Sequence, residues 1–282
     1  MPPRISPPRI VPEPTGATKP PGAAPETDAF RQTGFVLGEE VDLVLEGLRL
    51  EGALAEACAG AKFRSATAPL LLLWSRSWLA RQEALHAVQW GNYPAAIPLV
   101  RASADYQAAM KGLAGADRAE WDAWVESEPI AIAAAVHGTE VKPHAYRSAE
   151  TLASDAVLGP VYRAATELSM PHFAASIVLA GNDSGPDRIL ATFGERSFHL
   201  GLAELVMGWL LALGDAQLRR VAQPPFPAVP EPPLVAVCAR LAAAAARDDR
   251  CRVEPVEIEA QHRLLIHNWR ATPGSAAKKL LF

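Results

Sequence analysis

Residues 41 to 58 read VDLVLEGLRLEGALAEAC. Val41, Val44, Leu45, Leu48, Ala55 and Cys58 recur there every three or four positions, which is the spacing of one helix face and not the alternation of a strand. Gly52 falls on the same face, where it weakens the helix or lets a neighbour approach closely. This stretch predicts an amphipathic helix from Gly38 to about Ala61. Working outward, a second helix is expected from Thr67 to Trp90, with Gly91-Asn92 as its stop signal. A third is expected from Pro94, well suited to a first turn, to Leu113, with Gly112 and Gly115 marking its end. Asp117 caps a predicted fourth helix carrying Trp121 and Trp124, and Pro129 separates it from an Ala-rich run to His137.

After a predicted loop at 138–147, shorter helices are expected at Ala149 to Leu158, Val161 to Leu168, Pro171 to Gly181 and Arg196 to Leu213. Asn182 to Pro186 is a strong turn signal between the last two. Six prolines in residues 224–233 predict a stiff connector, and an Ala-rich helix is expected from Leu234 to Arg247. Val253, Val256 and Ile258, then Leu264 and Ile266, predict two short strands around Gln261-His262. The fold class expected is mainly α, a multi-helix, four-helix-bundle-like domain with a small C-terminal β-ribbon. The expected organisation is a disordered Pro-rich tail (1–28), the bundle (29–223), the connector (224–233), and a unit of short helix, ribbon and basic tail (234–282).

The chain has 282 residues, half of them hydrophobic, which is enough to bury one sizeable core. Its 27 basic and 31 acidic residues leave a net charge of −4, which argues against a surface built mainly to hold nucleic acid. Cys58, Cys238 and Cys251 are odd in number and far apart, so no disulfide framework or zinc knuckle is written. The most apolar stretches, Leu70 to Trp74 and Leu200 to Leu213, fall short of the ~20 uninterrupted apolar residues of a membrane span, and the second carries Glu204. The N-terminus leads into prolines and not into an apolar signal region. A cytoplasmic protein without membrane association is expected.

Two further segments carry a family resemblance. In Gly91-Asn92-Tyr93-Pro94-Ala95-Ala96-Ile97-Pro98-Leu99-Val100-Arg101-Ala102-Ser103-Ala104-Asp105 a helix ends on a small turn, and the next carries an Arg with an acid four residues later. Tyr162 through Leu168-Ser169-Met170-Pro171-His172 supplies a Tyr, Leu-Ser, His phrase. Together they resemble HEPN-like helical-bundle proteins, specifically an uncharacterised bacterial branch. That resemblance implies a bundle of long helices, often a homodimer, near toxin, phage-defence and nucleotide-associated systems. It also implies metal-independent cleavage of RNA by an Arg and a His a few residues apart. Arg81 and His86 are such a pair; they would position and protonate around a scissile phosphate, with Arg101 steadying charge. On a continuous helix, positions five apart point ~140° away from each other, so the pair meets only if the helix breaks.

The residues themselves leave other readings open. Arg101 and Asp105, four apart on one face, either form a structural ion pair or present Arg101 to an anionic ligand. His172 either acts as an acid or base near neutral pH or caps a helix. A carboxylate-bridged metal site needs more than is here: Glu83 to His86 is one helical Glu-x-x-His, Glu259 to His262 falls in the ribbon, and Glu195 with His199 lacks further ligands. No metal and no cofactor is expected. The Trp residues read as core. The alternative function is a non-catalytic interaction module that dimerises and docks protein partners through two tails. One tail is Pro-rich and repeats Pro2-Pro3-Arg4-Ile5 as Pro7-Pro8-Arg9-Ile10; the other is the basic end from Asn268 to Phe282.

Overall fold

The computed structural model describes residues 12–57, 68–115, 119, 148–181, 184–185, 187–194, 196–224, 226, 231–259 and 261–281. The predicted fourth helix with Trp121 and Trp124, the run to His137 and the loop 138–147 lie outside them. The described elements are α1 (Pro25–Ala57), α2 (Ala68–Gln89), α3 (Tyr93–Ala114), α4 (Ala149–Ser154), α5 (Leu158–Ser169), α6 (Phe173–Ala180), α7 (Leu200–Val221) and α8 (Glu231–Ala245). Three strands follow: β1 (Arg252–Ile258), β2 (Gln261–Trp269) and β3 (Lys278–Leu281). The fold is mainly helical with a small antiparallel sheet at the C-terminal end, in the order β1-β2-β3.

Helix α7 is the axis of the bundle. It is apolar nearly all the way round, and a helix of that kind must be surrounded; α1, α2, α3 and α8 pack on it. Among the described residues it is also the one helix long and apolar enough to cross a membrane, and here its apolar surface is spent on the core. Helix α3 packs between α2 and α5, and α8 lies against α1 and α7.

Local signals account for the α2–α3 corner. Helix α2 ends at Gln89, and Gly91 takes φ +67°, the left-handed turn that glycine adopts without strain. A Cβ there would also lie 2.7 Å from the carbonyl oxygen of Ser197. Pro94 sits in the first turn of α3, where a missing N–H costs nothing.

Four expectations are corrected. First, α1 begins at Pro25, well before Gly38, because Pro25, Glu26 and Asp28 make a favourable first turn. The backbone kinks at Leu37 (φ −123°, ψ 18°), between Gly34 and Gly38, so the periodicity from Val41 reports only the second half. Second, residues 12–24 do not behave as a solvated tail. They run along α2 as a strap: Ala17 donates its N–H to Gln89 Oε1 (2.6 Å), Trp90 Nε1 donates to Thr18 O (3.0 Å), and Gln82 Nε2 donates to Thr15 O (2.5 Å). Third, the C-terminal tail adds β3 to the expected ribbon, pairing Leu280 with Ile266 and Leu281 with Leu265. The Pro-rich connector is also shorter than expected, since α8 takes Pro232 and Pro233 into its first turn.

The sheet is held on the N-terminus of α7. The first N–H groups of a helix have no partner within it. Here Leu200 N–H donates to Ala271 O (2.9 Å), Gly201 N–H to Arg270 O (2.8 Å), and Leu202 N–H to Nδ1 of the capping His199 (3.2 Å). The His199 ring lies on Trp269 with centroids 4.4 Å apart, and the backbone N–H of His199 donates to the buried Tyr93 hydroxyl (3.0 Å). Burial pushes the Tyr93 phenol well above its ordinary value.

Candidate functional site

Arg81 projects from α2 into the interior. Its NH1 and NH2 donate to Oε1 and Oε2 of Glu51 on α1, at 2.7 and 2.6 Å, with side chains 2% and 0% exposed. Trp74 Nε1 donates to the same carboxylate (2.8 Å). This is the parallel fork-on-fork arrangement in which both charges meet their match. Gly214 on α7 leaves the room: a Cβ there would stand 3.8 Å from Arg81 NH1. An adjacent polar thread links Ser77, Ser103 and Gln107, and Gln107 Nε2 donates to the Leu213 carbonyl (3.2 Å).

His86 lies elsewhere. Its Nε2 is 2.7 Å from Thr15 O on the strap and 2.6 Å from Gln82 Nε2, and its Nδ1 is 3.7 Å from Glu83 Oε2. Helix α2 runs unbroken through both positions, so Arg81 turns to the core and His86 to the strap. The structure does not bring Arg81 and His86 to one point, which corrects the expectation of a converging pair within one copy.

The expected Arg101–Asp105 ion pair does not form either. Arg101 reaches across to α5, where Nε donates to Thr166 Oγ1 and NH2 to the Tyr162 hydroxyl, both at 3.1 Å, with the guanidinium 5.1 Å from the centre of the Tyr162 ring. A flat cation over an aromatic face is favourable, and it cross-links α3 to α5. The Tyr162 of the resemblance motif is thus the partner of Arg101. His172 is the N-cap of α6: its Nδ1 accepts from the Ala175 N–H (3.2 Å), and its Nε2 is 3.6 Å from Glu167 Oε2.

A second buried ionic centre escaped the reading of the sequence. Glu204 on α7 receives Arg270 NH2 on Oε1 (2.9 Å) and the Cys251 N–H on Oε2 (3.0 Å). Arg250 donates to the Glu204 carbonyl (2.8 Å) and to Glu40 Oε1 (2.6 Å), and Arg247 reaches the same Glu40 oxygen (2.6 Å). The signal was present: a carboxylate set in the apolar first half of α7 needs a buried cation. The network welds the sheet and α8 to α1 and α7.

Two of the concave surfaces among the described residues carry charged walls. A cavity of about 320 Å³ between α1 and α8 is walled by Glu39, Glu40, Asp42 and Glu46 against Arg240 and Arg247. A cleft of about 260 Å³ lies between α3, the α4–α5 junction and α7. Its walls carry Lys111 with Asp155 (2.6 Å) and Arg219 with Asp215 (2.8 Å). Burial alone would raise the Asp155 pKa; the Lys111 ammonium and the N–H groups of Leu158 and Val157 outweigh it and hold that pKa low. Among the described residues no three His, Cys, Asp or Glu side chains are grouped to hold a metal ion.

No known protein family, no characterised protein and no solved structure matches the chain, so the likeness to HEPN proteins rests on the two sequence phrases alone.

Proposed function

We propose that this protein is a non-catalytic interaction module that self-associates through an apolar excursion formed by α6 and the loop leading to α7. The observation that carries this reading is the exposure of that excursion. Seven of the eight residues of α6 are apolar, yet only Ala175 and Val178 are buried. Phe173 is 70% and Ile189 60% exposed, Phe193 is fully exposed, and Met170 and Leu190 accompany them. Thr192 N–H donates to Ala180 O (2.8 Å), which folds the loop back onto the end of the helix. Exposed apolar surface of this extent often marks an interaction site.

A second copy of the chain is the occupant that fits best. Five side chains of this size contribute roughly 500 Å² per partner, most of the ~800 Å² of a standard interface. Asp187 and Arg188 beside them are exposed, and neither has an ion-pair partner among the described residues. Adjacent charges of opposite sign can answer each other across a two-fold axis. Residues 12–24 are engaged by α2 and β3 by β2, so those parts of the tails are less free to dock a partner, while the Pro-Pro-Arg-Ile repeat at residues 2–10 lies outside the described residues. The ribonuclease reading needs an Arg and a His together, and Glu51 and Thr15 occupy Arg81 and His86 separately.

Sedimentation velocity on the full chain tests this. A dimer at micromolar concentration that Phe173→Glu/Phe193→Glu converts to a folded monomer is the expected result. A wild-type protein that stays monomeric across that range overturns the reading.

A further inference from the structure

The cleft between α3 and α7 contains polar atoms that no described residue answers. Gln217 is 0% exposed, and its amide makes a single weak contact, Nε2 to Met110 Sδ at 3.8 Å, while Oε1 has no partner. A buried amide in that state is costly unless something else completes it. One helical turn on, Arg220 is half-buried and meets only neutral acceptors, Gln223 Oε1 (3.3 Å) and Pro224 O (3.0 Å); its Nε has no partner. The other two cations of the cleft are already paired, Lys111 with Asp155 and Arg219 with Asp215. Burial accordingly pushes the Arg220 pKa below the ordinary arginine value. A desolvated cation with no carboxylate partner in the described structure, in a cleft lined in part by an amide with an unsatisfied oxygen, is an arrangement that an anion bearing a hydrogen-bond donor would complete.

We infer that this cleft binds a small oxyanion, a phosphate monoester or a carboxylate, which also carries a hydrogen-bond donor. The anionic group meets the Arg220 guanidinium, and the donor meets Gln217 Oε1. The cavity of about 260 Å³ admits a metabolite-sized molecule and not a folded polymer. Asp155 and Asp215 at the wall balance Lys111 and Arg219, so Arg220 supplies the net positive charge of the cleft. This site is independent of the apolar excursion and of self-association.

Isothermal titration of the full chain with inorganic phosphate, AMP and citrate, each against chloride at matched ionic strength, tests the inference. Saturable binding of AMP alone assigns a phosphate monoester; binding of citrate alone assigns a carboxylate; either supports the site. Arg220→Gln is expected to weaken binding roughly tenfold to a hundredfold. Gln217→Met keeps the shape and removes the unsatisfied amide, so it is expected to raise the thermal midpoint of the free protein while weakening binding. A merely structural Gln217 would do the reverse to stability. Absence of binding to all three probes, or binding unchanged in folded Arg220→Gln, overturns the inference.

Discussion

Arg81 spends both terminal guanidinium nitrogens on the two oxygens of Glu51, at 2.7 and 2.6 Å, deep between α2 and α1. Removing one partner strands the other charge in the interior. Arg81→Ala and Glu51→Ala are therefore each expected to cost about 3–5 kcal/mol in urea-induced unfolding. Replacing both residues by methionine recovers most of that loss, since an apolar pair leaves no charge behind. Single variants that lose less than ~1 kcal/mol would show the pair to be solvated.

Gly208 lies against Arg250. A Cβ at 208 would approach Arg250 Cδ to 2.8 Å, and that side chain is pinned by the Glu204 carbonyl, Glu40 and the Ala244 carbonyl. Gly208→Ala gains up to ~1 kcal/mol of helix propensity but forces a repacking that costs ~1–3 kcal/mol. The thermal midpoint is expected to fall. A rise would mean that Arg250 swings aside at no cost.

The strap hangs on few hydrogen bonds. Gln89 holds the Ala17 N–H and Gln82 holds Thr15 O. In Gln82→Ala/Gln89→Ala the Ala17 amide is expected to exchange with solvent on the order of tenfold faster or more, while core amides of α7 keep their rates. Hydrogen exchange followed by mass spectrometry reads both at once. Unchanged exchange at Ala17 would place the strap's stability in its apolar contacts.

Burial pushes the Cys238 thiol up to about 11 and the Cys251 thiol up to about 12, against 9.0 for the unburied group. Both pKa values are raised, so the thiols of the unfolded chain ionise first as the pH rises. Their contribution to stability is fully present below about pH 9 and is lost progressively above it, toward pH 11 to 12. Unfolding free energy measured from pH 8 upward should fall across that window. In Cys238→Ser/Cys251→Ser the alkaline slope should be shallower. At neutral pH both thiols are expected to resist a disulfide reagent until the chain unfolds.

Much of the helical skeleton was legible because its signals are local. Gly91-Asn92 and Pro94 predict a corner that the structure places between Gln89 and Tyr93. Val253 to Ile266 predict a ribbon that the structure builds as β1 and β2. The first half of α1 was hidden by the kink at Leu37 and by the prolines before it, which by composition read as tail. Strand β3 was hidden because Lys278 and Lys279 read as a frayed end until Ile266 offers Leu280 a partner.

The candidate sites were far less legible. Glu51 and Arg81 are 30 positions apart, and Glu40 and Arg250 are 210 apart. No periodicity along one helix says which charge on another will face it. The expected local pairs, Arg81 with His86 and Arg101 with Asp105, lost to partners from other helices, because a buried cation is stabilised most by whichever acceptor shares its desolvated space. By itself the sequence determined helix, turn and strand, since backbone geometry and the period of apolar side chains act over a few residues. Only the tertiary structure decided which charges are buried and paired, which apolar helix the described residues leave exposed at Phe173, and where Arg220 stands without a carboxylate among the described residues. Those outcomes follow from packing between segments distant in the chain.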